Sequence, residues 1–292
     1  MPQARNGDTL LEYETFGDPA DPILLLVMGL TAQMTAWDER FCSMLADEGF
    51  HVVRFDNRDC GLSSKTEGEP PDIVELAMAM LGGGEIPDVP YTLSDMASDA
   101  VAVVGAAGGG RAHVVGASMG GMIAQVCAIE HPEVVASLTS IMSTTGATDV
   151  GQPQPAAIQA LMSPPPEDRE GFIERSVEVT HVIGGPLVDD DSVRAHAAAA
   201  YDRSFYPQAA AFQMAAIAKT GDRTEHLGQV SAPTLVIHGA ADTLVTLSGG
   251  EATARAIPGA RIEVFEKMGH DLPEPLWPDI VALITEHARS AS

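Results

Sequence analysis

The ten residues from His113 to Met122, HVVGASMGGM, box a serine between glycines just where a run of β-formers stops. The core of this stretch, GASMG, fits G-x-S-x-G, and its setting gives the pattern meaning. AHVV reads as a strand and MIAQVCAIEHP as a helix, so the chain turns sharply about Ser118. Such a turn strains the backbone and pushes the hydroxyl out above the sheet. Only small residues fit two positions away on either side, where Gly116 and Gly120 stand. The amide of Met119, at the start of the helix, points toward negative charge developing near that hydroxyl.

Serine alone is a poor nucleophile near neutral pH; it needs a base, and the base needs a carboxylate to orient it. Of the nine histidines, His51 and His113 begin strands, His131 ends a helix, and His181, His196 and His226 fall in a helical stretch. His238 lies inside a strand and His287 in the last helix. His270 differs, because EKMGHDLPEP is a loop bearing Gly and Pro just after the last strand, from which a side chain reaches over the sheet toward Ser118. The acid is expected at the end of the preceding strand, where LVIHGAADTLV puts Asp242. Asp271, beside the histidine, is expected to point elsewhere. An oxyanion hole needs a second amide from the loop after the early buried strand. In LLVMGLTAQ the strand ends at Met28, Gly29 relieves the turn, and the amide of Leu30 is best placed.

These residues need a scaffold, and the chain spells one out. LEYETFG alternates like a strand, GDPADP breaks it, and ILLLVMG is the continuous apolar run of a strand buried on both faces, which predicts a parallel sheet. TAWDERFCSMLADEGF has helical spacing with Trp37, Phe41, Met44 and Leu45 on one face, and HVVRFD is the next strand. Thr92 or Ser94 caps a helix over LSDMASDAVAVVGAAG. RAHVVGAS, the helix from Met119 and VASLTSIMS follow, so the fold class is α/β with right-handed crossovers.

The alternation stops near Ser143 and resumes with PTLVIHG, ARIEVFE and a closing helix, PDIVALITEHARS. The stretch between is Ala-rich and helix-favouring, with no convincing strand. The chain therefore divides into a first part of the core, 1–145, a helical cap, 146–229, and a second part of the core, 230–292. Met162, Phe172, Phe205, Phe212 and Met214 in the cap either line an apolar pocket or pack the cap onto the core. Pro70 to Pro90, with its apolar middle Ile73 to Leu81, reads either as a flap over a pocket or as a surface segment on the cap.

Composition narrows the field. A formal charge of -25, from 16 basic and 41 acidic residues, argues against nucleic acid, whose phosphates need clustered Lys and Arg. Three scattered cysteines, Cys42, Cys60 and Cys127, suit reduced thiols in a cytoplasm. The start, MPQARNGDTLLEYETFG, has no apolar signal core, and ILLLVMGL is too short to span a bilayer. A cytoplasmic protein is expected, with no membrane partner, no metal and a small-molecule substrate; monomer and homodimer stay open.

The order Ser118, Asp242, His270, with GASMGG, DNRDCGLS and PTLVIHGAADTLV…MGHDLP, resembles the α/β-hydrolase superfamily over essentially the whole chain. GDPADPILLLVMGL, RDCGLSS and AHVVGASMGG are similar, more narrowly, to the aclacinomycin methylesterase group, cofactor-free esterases of polyketide methyl esters. The resemblance implies an eight-stranded, mostly parallel sheet flanked by helices, a helical cap after the sixth strand, and the amides of Leu30 and Met119 as the oxyanion hole. It also implies that Asp56 and Arg58 brace their turn. The expected activity is hydrolysis of neutral, hydrophobic carboxylic esters without a cofactor. Carbon–carbon bond hydrolysis, cofactor-free perhydrolysis or haloperoxidase chemistry, and ligand binding on the same fold are the alternatives.

Overall fold

The computed structural model describes residues 2–72, 76, 86, 88–162, 166 and 168–291. Most of the Pro70 to Pro90 arm, at 73–75, 77–85 and 87, lies outside them. Eight strands form one sheet: β1 (Gln3–Asn6), β2 (Thr9–Phe16), β3 (Ile23–Val27), β4 (His51–Phe55), β5 (Ala112–Ala117), β6 (Val135–Ile141), β7 (Thr234–Gly239) and β8 (Arg261–Phe265). Their order is β1-β2-β4-β3-β5-β6-β7-β8. β2 runs antiparallel to both neighbours, and every pairing from β4 to β8 is parallel.

The run ILLLV is wholly buried, as are β4, β5, β6 and β7. Alternate residues serve the two faces. Leu25, Val27, Val53 and Val114 pack under α2 (Leu93–Ala106) and α3 (Met119–Glu130). Leu24, Leu26, Val52, Val115 and Leu235 pack under α1 (Glu39–Asp47) and α10 (Trp277–Ser290). Each such leucine contributes about 1.5–3 kcal/mol by leaving water. Asp38 caps α1 by accepting from the Arg40 amide at 2.8 Å. Thr92, rather than Ser94, is the N-cap of α2, with its own amide held by Asp95 at 2.8 Å. Trp37 precedes α1 instead of lying on it, yet its ring still stacks on Phe41, with centroids 5.8 Å apart.

Among the described residues five helices stand between β6 and β7: α4 (Pro155–Met162), α5 (Arg169–Ile183), α6 (Asp190–Arg203), α7 (Ala209–Thr220) and α8 (Thr224–Leu227). Among the described residues this stretch holds no strand. Phe172, Tyr201 and Phe205 pack on one another, with centroids 4.6–5.8 Å apart. Phe212 is buried in the core and Met214 is half-buried; the side chain of Met162 lies outside the described residues. α9 (Leu247–Ala256) follows β7. Among the described residues no helix is long and apolar enough to cross a membrane. All three cysteines are free and buried, and burial raises each thiol to about 12.

Burial lowers three of the histidines buried in or against the sheet: His113 to about 4, with His287 and Arg111 adding to the effect, and His238 and His287 in the same direction. An unfolded histidine titrates near ~6.5, so between that pH and the folded value the unfolded chain binds protons that the native state refuses. Their contribution is therefore complete above the unfolded value and lost as pH falls through this window. The melting temperature is expected to drop on acidification from neutral pH toward about 4.5, and His113→Asn to flatten that slope. Circular-dichroism melts across the range check this, and an unchanged slope in the variant contradicts it.

Candidate active site

Strand β5 ends at Ala117 and α3 begins at Met119, which leaves Ser118 alone to make the turn. Its φ of 56° and ψ of -121° lie in a region that side-chain-bearing residues avoid. The turn is held by the Ser118 amide donating to Ile141 at 2.9 Å, and by Ser143 Oγ donating to the Ser118 carbonyl at 2.8 Å. A Cβ on Gly116 would stand 2.0 Å from the Gly120 carbonyl oxygen, and one on Gly120 would stand 2.1 Å from that of Val27. Both contacts are with backbone, so neither glycine can be enlarged without moving the turn. This is the steric reason for the pattern in the sequence.

The three side chains separated in sequence meet here. His270 Nε2 lies 2.9 Å from Ser118 Oγ, and His270 Nδ1 lies 2.8 Å from Asp242 Oδ2. A carboxylate only accepts, so Nδ1 carries the proton and Nε2 presents its lone pair to the serine. The Asp242 side chain is 0% exposed, and its Oδ1 accepts from the amides of Leu244 and Val245, both at 2.9 Å. The backbone of His270 is anchored by its own amide, which donates to the Ile183 carbonyl at 2.7 Å. Asp271 points away, as expected. Its Oδ1 accepts from Gly269 at 2.8 Å and Gly185 at 3.2 Å, and burial raises its carboxyl above the usual range.

His238 is a part of this arrangement that spacing did not single out. Its Nε2 donates to the Val245 carbonyl at 2.8 Å, and Val245 in turn donates to Asp242. The imidazole thus pins the segment that orients the acid. Burial favours the neutral ring and outweighs both the Val245 carbonyl and the Asp242 carboxylate, whose Oδ2 lies 3.7 Å from Nε2.

Gly29 does not relieve the turn after β3 by a left-handed backbone; the residue with positive φ is Thr31, at 59°. Gly29 is needed for closeness, because a Cβ there would stand 3.1 Å from Ser118 Cβ. The loop carrying Leu30 therefore lies against the serine. Among the described residues the amides of Leu30 and Met119 donate to no protein group, which leaves both available to an incoming oxygen.

Side chains from α6 and α7 are tied into the same region. Arg203 pairs with the buried Asp56 at 2.7 Å and donates to Gln33 Oε1 at 2.7 Å, while Gln33 Nε2 donates to the carbonyls of Ala200 and Ser204. Asp56 also receives the amides of Met34 and Leu62. Arg58 brackets Asp99, at 2.6 and 2.8 Å. Asp56 and Arg58 thus brace their turn, and Asp56 also anchors the end of α6 through Arg203. Gly61 sits against this pair with φ 48°, where a Cβ would stand 2.1 Å from the Asp56 carboxylate and 2.3 Å from the Arg203 guanidinium.

The chain resembles known proteins over its full length. Residues 22–274 match the family described as alpha/beta hydrolase fold. Rhodomycin D methylesterase DauP of Streptomyces sp. strain C5 is 30% identical, over 98% of this chain and 97% of that protein. Rhodomycin D methylesterase DnrP of Streptomyces peucetius is 29% identical over the same shares. Among solved structures, a meta-cleavage product hydrolase from Pseudomonas fluorescens IP01 superposes with a TM-score of 0.78 at 19% identity, covering 100% of this chain and 98% of that one. The enol-lactonase from Burkholderia xenovorans LB400 gives 0.74 at 20% identity, covering 99% and 100%. At these identities the two structures share the fold.

Proposed function

The chain belongs to the alpha/beta hydrolase fold family, and from that premise we propose that it cleaves neutral, hydrophobic carboxylic esters through an acyl-enzyme on Ser118, with His270 as base and Asp242 as orienting acid. It is an esterase-type hydrolase, like the methylesterases that match its full length. The observation carrying the finer reading is the pair of hydrogen bonds that join Ser118 to His270 and His270 to Asp242, at 2.9 and 2.8 Å.

The chemistry follows from that geometry. His270 Nε2 takes the Ser118 proton as Oγ attacks the ester carbonyl, and the imidazolium formed is stabilised by the Asp242 carboxylate. The oxyanion of the tetrahedral intermediate lies between the amides of Leu30 and Met119, near the N-terminus of α3. His270 then returns the proton to the departing alcohol. Water repeats the sequence on the acyl-enzyme and releases the acid. Residues 1–145 and 230–292 form the catalytic core in this reading, and residues 146–229 form a cap that covers it.

Both full-length relatives are methylesterases, which supports an ester as the substrate. A panel of p-nitrophenyl esters of graded chain length, set beside methyl esters of bulky aromatic acids, tests it. Turnover is expected to rise with apolar acyl size and to favour neutral over carboxylate-bearing substrates. Faster turnover of a vinylogous diketone, or of peracid formation from acetate and peroxide, would replace ester hydrolysis as the reading.

A further inference from the structure

A side chain of the cap grips the backbone next to the Leu30 amide. Gln213, on α7, is 0% exposed. Its Oε1 accepts from the Thr31 amide at 2.7 Å, while Nε2 donates to the Arg58 carbonyl at 2.9 Å and to Cys60 Sγ at 3.2 Å. With its donor and acceptor both engaged, the carboxamide has a single orientation and little room to move.

The backbone it holds is strained. The Ala32 amide donates to the Gly29 carbonyl at 3.3 Å, which closes a four-residue turn with Leu30 second and Thr31 third. Thr31 has φ 59° in the third position, where glycine or asparagine is the usual occupant of a left-handed turn and a β-branched residue is an outlier. Strain of this kind persists only where the surroundings over-determine it. The Thr31 N–H belongs to the central peptide of the turn, so the bond from Gln213 fixes the peptide whose rotation would relieve Thr31. Leu30 lies inside the same turn and takes its direction from it. Gln33, two residues beyond Thr31, is held by the end of α6. Both cap helices therefore converge on one short loop.

We infer that Gln213 is a positioning residue for the Leu30 amide: through one buried carboxamide the cap holds the strained Gly29–Ala32 turn, so that the oxyanion hole is complete only while the cap is docked. This rests on the role proposed for Leu30 above.

The test uses the full-length protein with Gln213→Leu and Gln213→Glu, a p-nitrophenyl ester, and a trifluoromethyl ketone of matching chain, whose adduct with the serine places an oxyanion in the hole. Gln213→Leu is expected to lower kcat by about 10- to 100-fold, to change KM by less than about threefold, and to weaken the ketone in step with kcat/KM. Gln213→Glu, which burial favours in its protonated form, keeps an acceptor for Thr31 and an O–H donor for the Arg58 carbonyl, and should lose clearly less. If Gln213→Leu does not fold, Gln213→Asn carries the same expectation, since the shorter side chain withdraws its oxygen from Thr31. Three results overturn the inference: a folded variant with parental kcat, a loss confined to KM with ketone affinity unchanged, or equal losses in the Leu and Glu variants. The ketone's dependence on Ser118 is read separately with Ser118→Ala, so a wild-type enzyme that uses Ser118 beside an unaffected Gln213→Leu removes only the role of the glutamine.

Discussion

Ser118→Ala is expected to lower ester turnover by about four to six powers of ten and leave the fold intact. The hydroxyl makes its hydrogen bond to His270 and none that holds the turn, because the backbone of Ser118 and the Oγ of Ser143 do that work. Alanine keeps the Cβ that the strained position already tolerates, so the melting temperature should stay close to that of the parent. Rate and stability measured on the same preparation separate the two effects. A variant with near-native esterase activity ends the proposed mechanism.

Asp242→Asn is expected to cost about 10⁴-fold in kcat, by a different route. Oδ1 of Asp242 is fixed by the amides of Leu244 and Val245, so an asparagine keeps its oxygen there and turns its NH₂ toward His270 Nδ1. Two donors cannot face each other, and the imidazole responds by moving its proton to Nε2. The nitrogen beside Ser118 then carries a hydrogen and has no lone pair with which to accept another. Nuclear magnetic resonance of the imidazole nitrogens in the variant should report the switched tautomer alongside the kinetic loss. A variant with the switched tautomer but normal turnover would count against His270 as base.

The meeting of Ser118, His270 and Asp242 was legible in the chain because each position announces itself locally. A glycine-boxed serine between strand and helix, an aspartate ending one strand and a histidine in the loop after the next can each be read within a dozen residues. The parallel order of strands was legible for the same reason, through the continuous apolar runs. What could not be read depends on how helices dock. Gln213 meets Thr31 across 182 residues, and Arg203 meets Gln33 across 170. An Ala-rich helix announces which residues favour helix, but not which single polar side chain will turn inward against the sheet's upper loops. Thr31 was missed because sequence preference points to glycine at left-handed positions, and Gly29 stood two residues away. The role of His238 was hidden because a histidine within a buried strand has no local mark that tells a packed ring from one that steadies a neighbour.

The ion pair between Arg203 and Asp56, closed over by Gly61, limits how the segment between β6 and β7 can be exchanged. A helical segment grafted from a relative onto this sheet must bring an arginine to the same place, or leave Asp56 as a carboxylate stripped of both water and counter-charge, which costs about 3–5 kcal/mol when a buried pair is broken. Chimeras in this fold are therefore better cut to keep that arginine, aspartate and glycine together than at the ends of the strands, where sequence alone would place the joint.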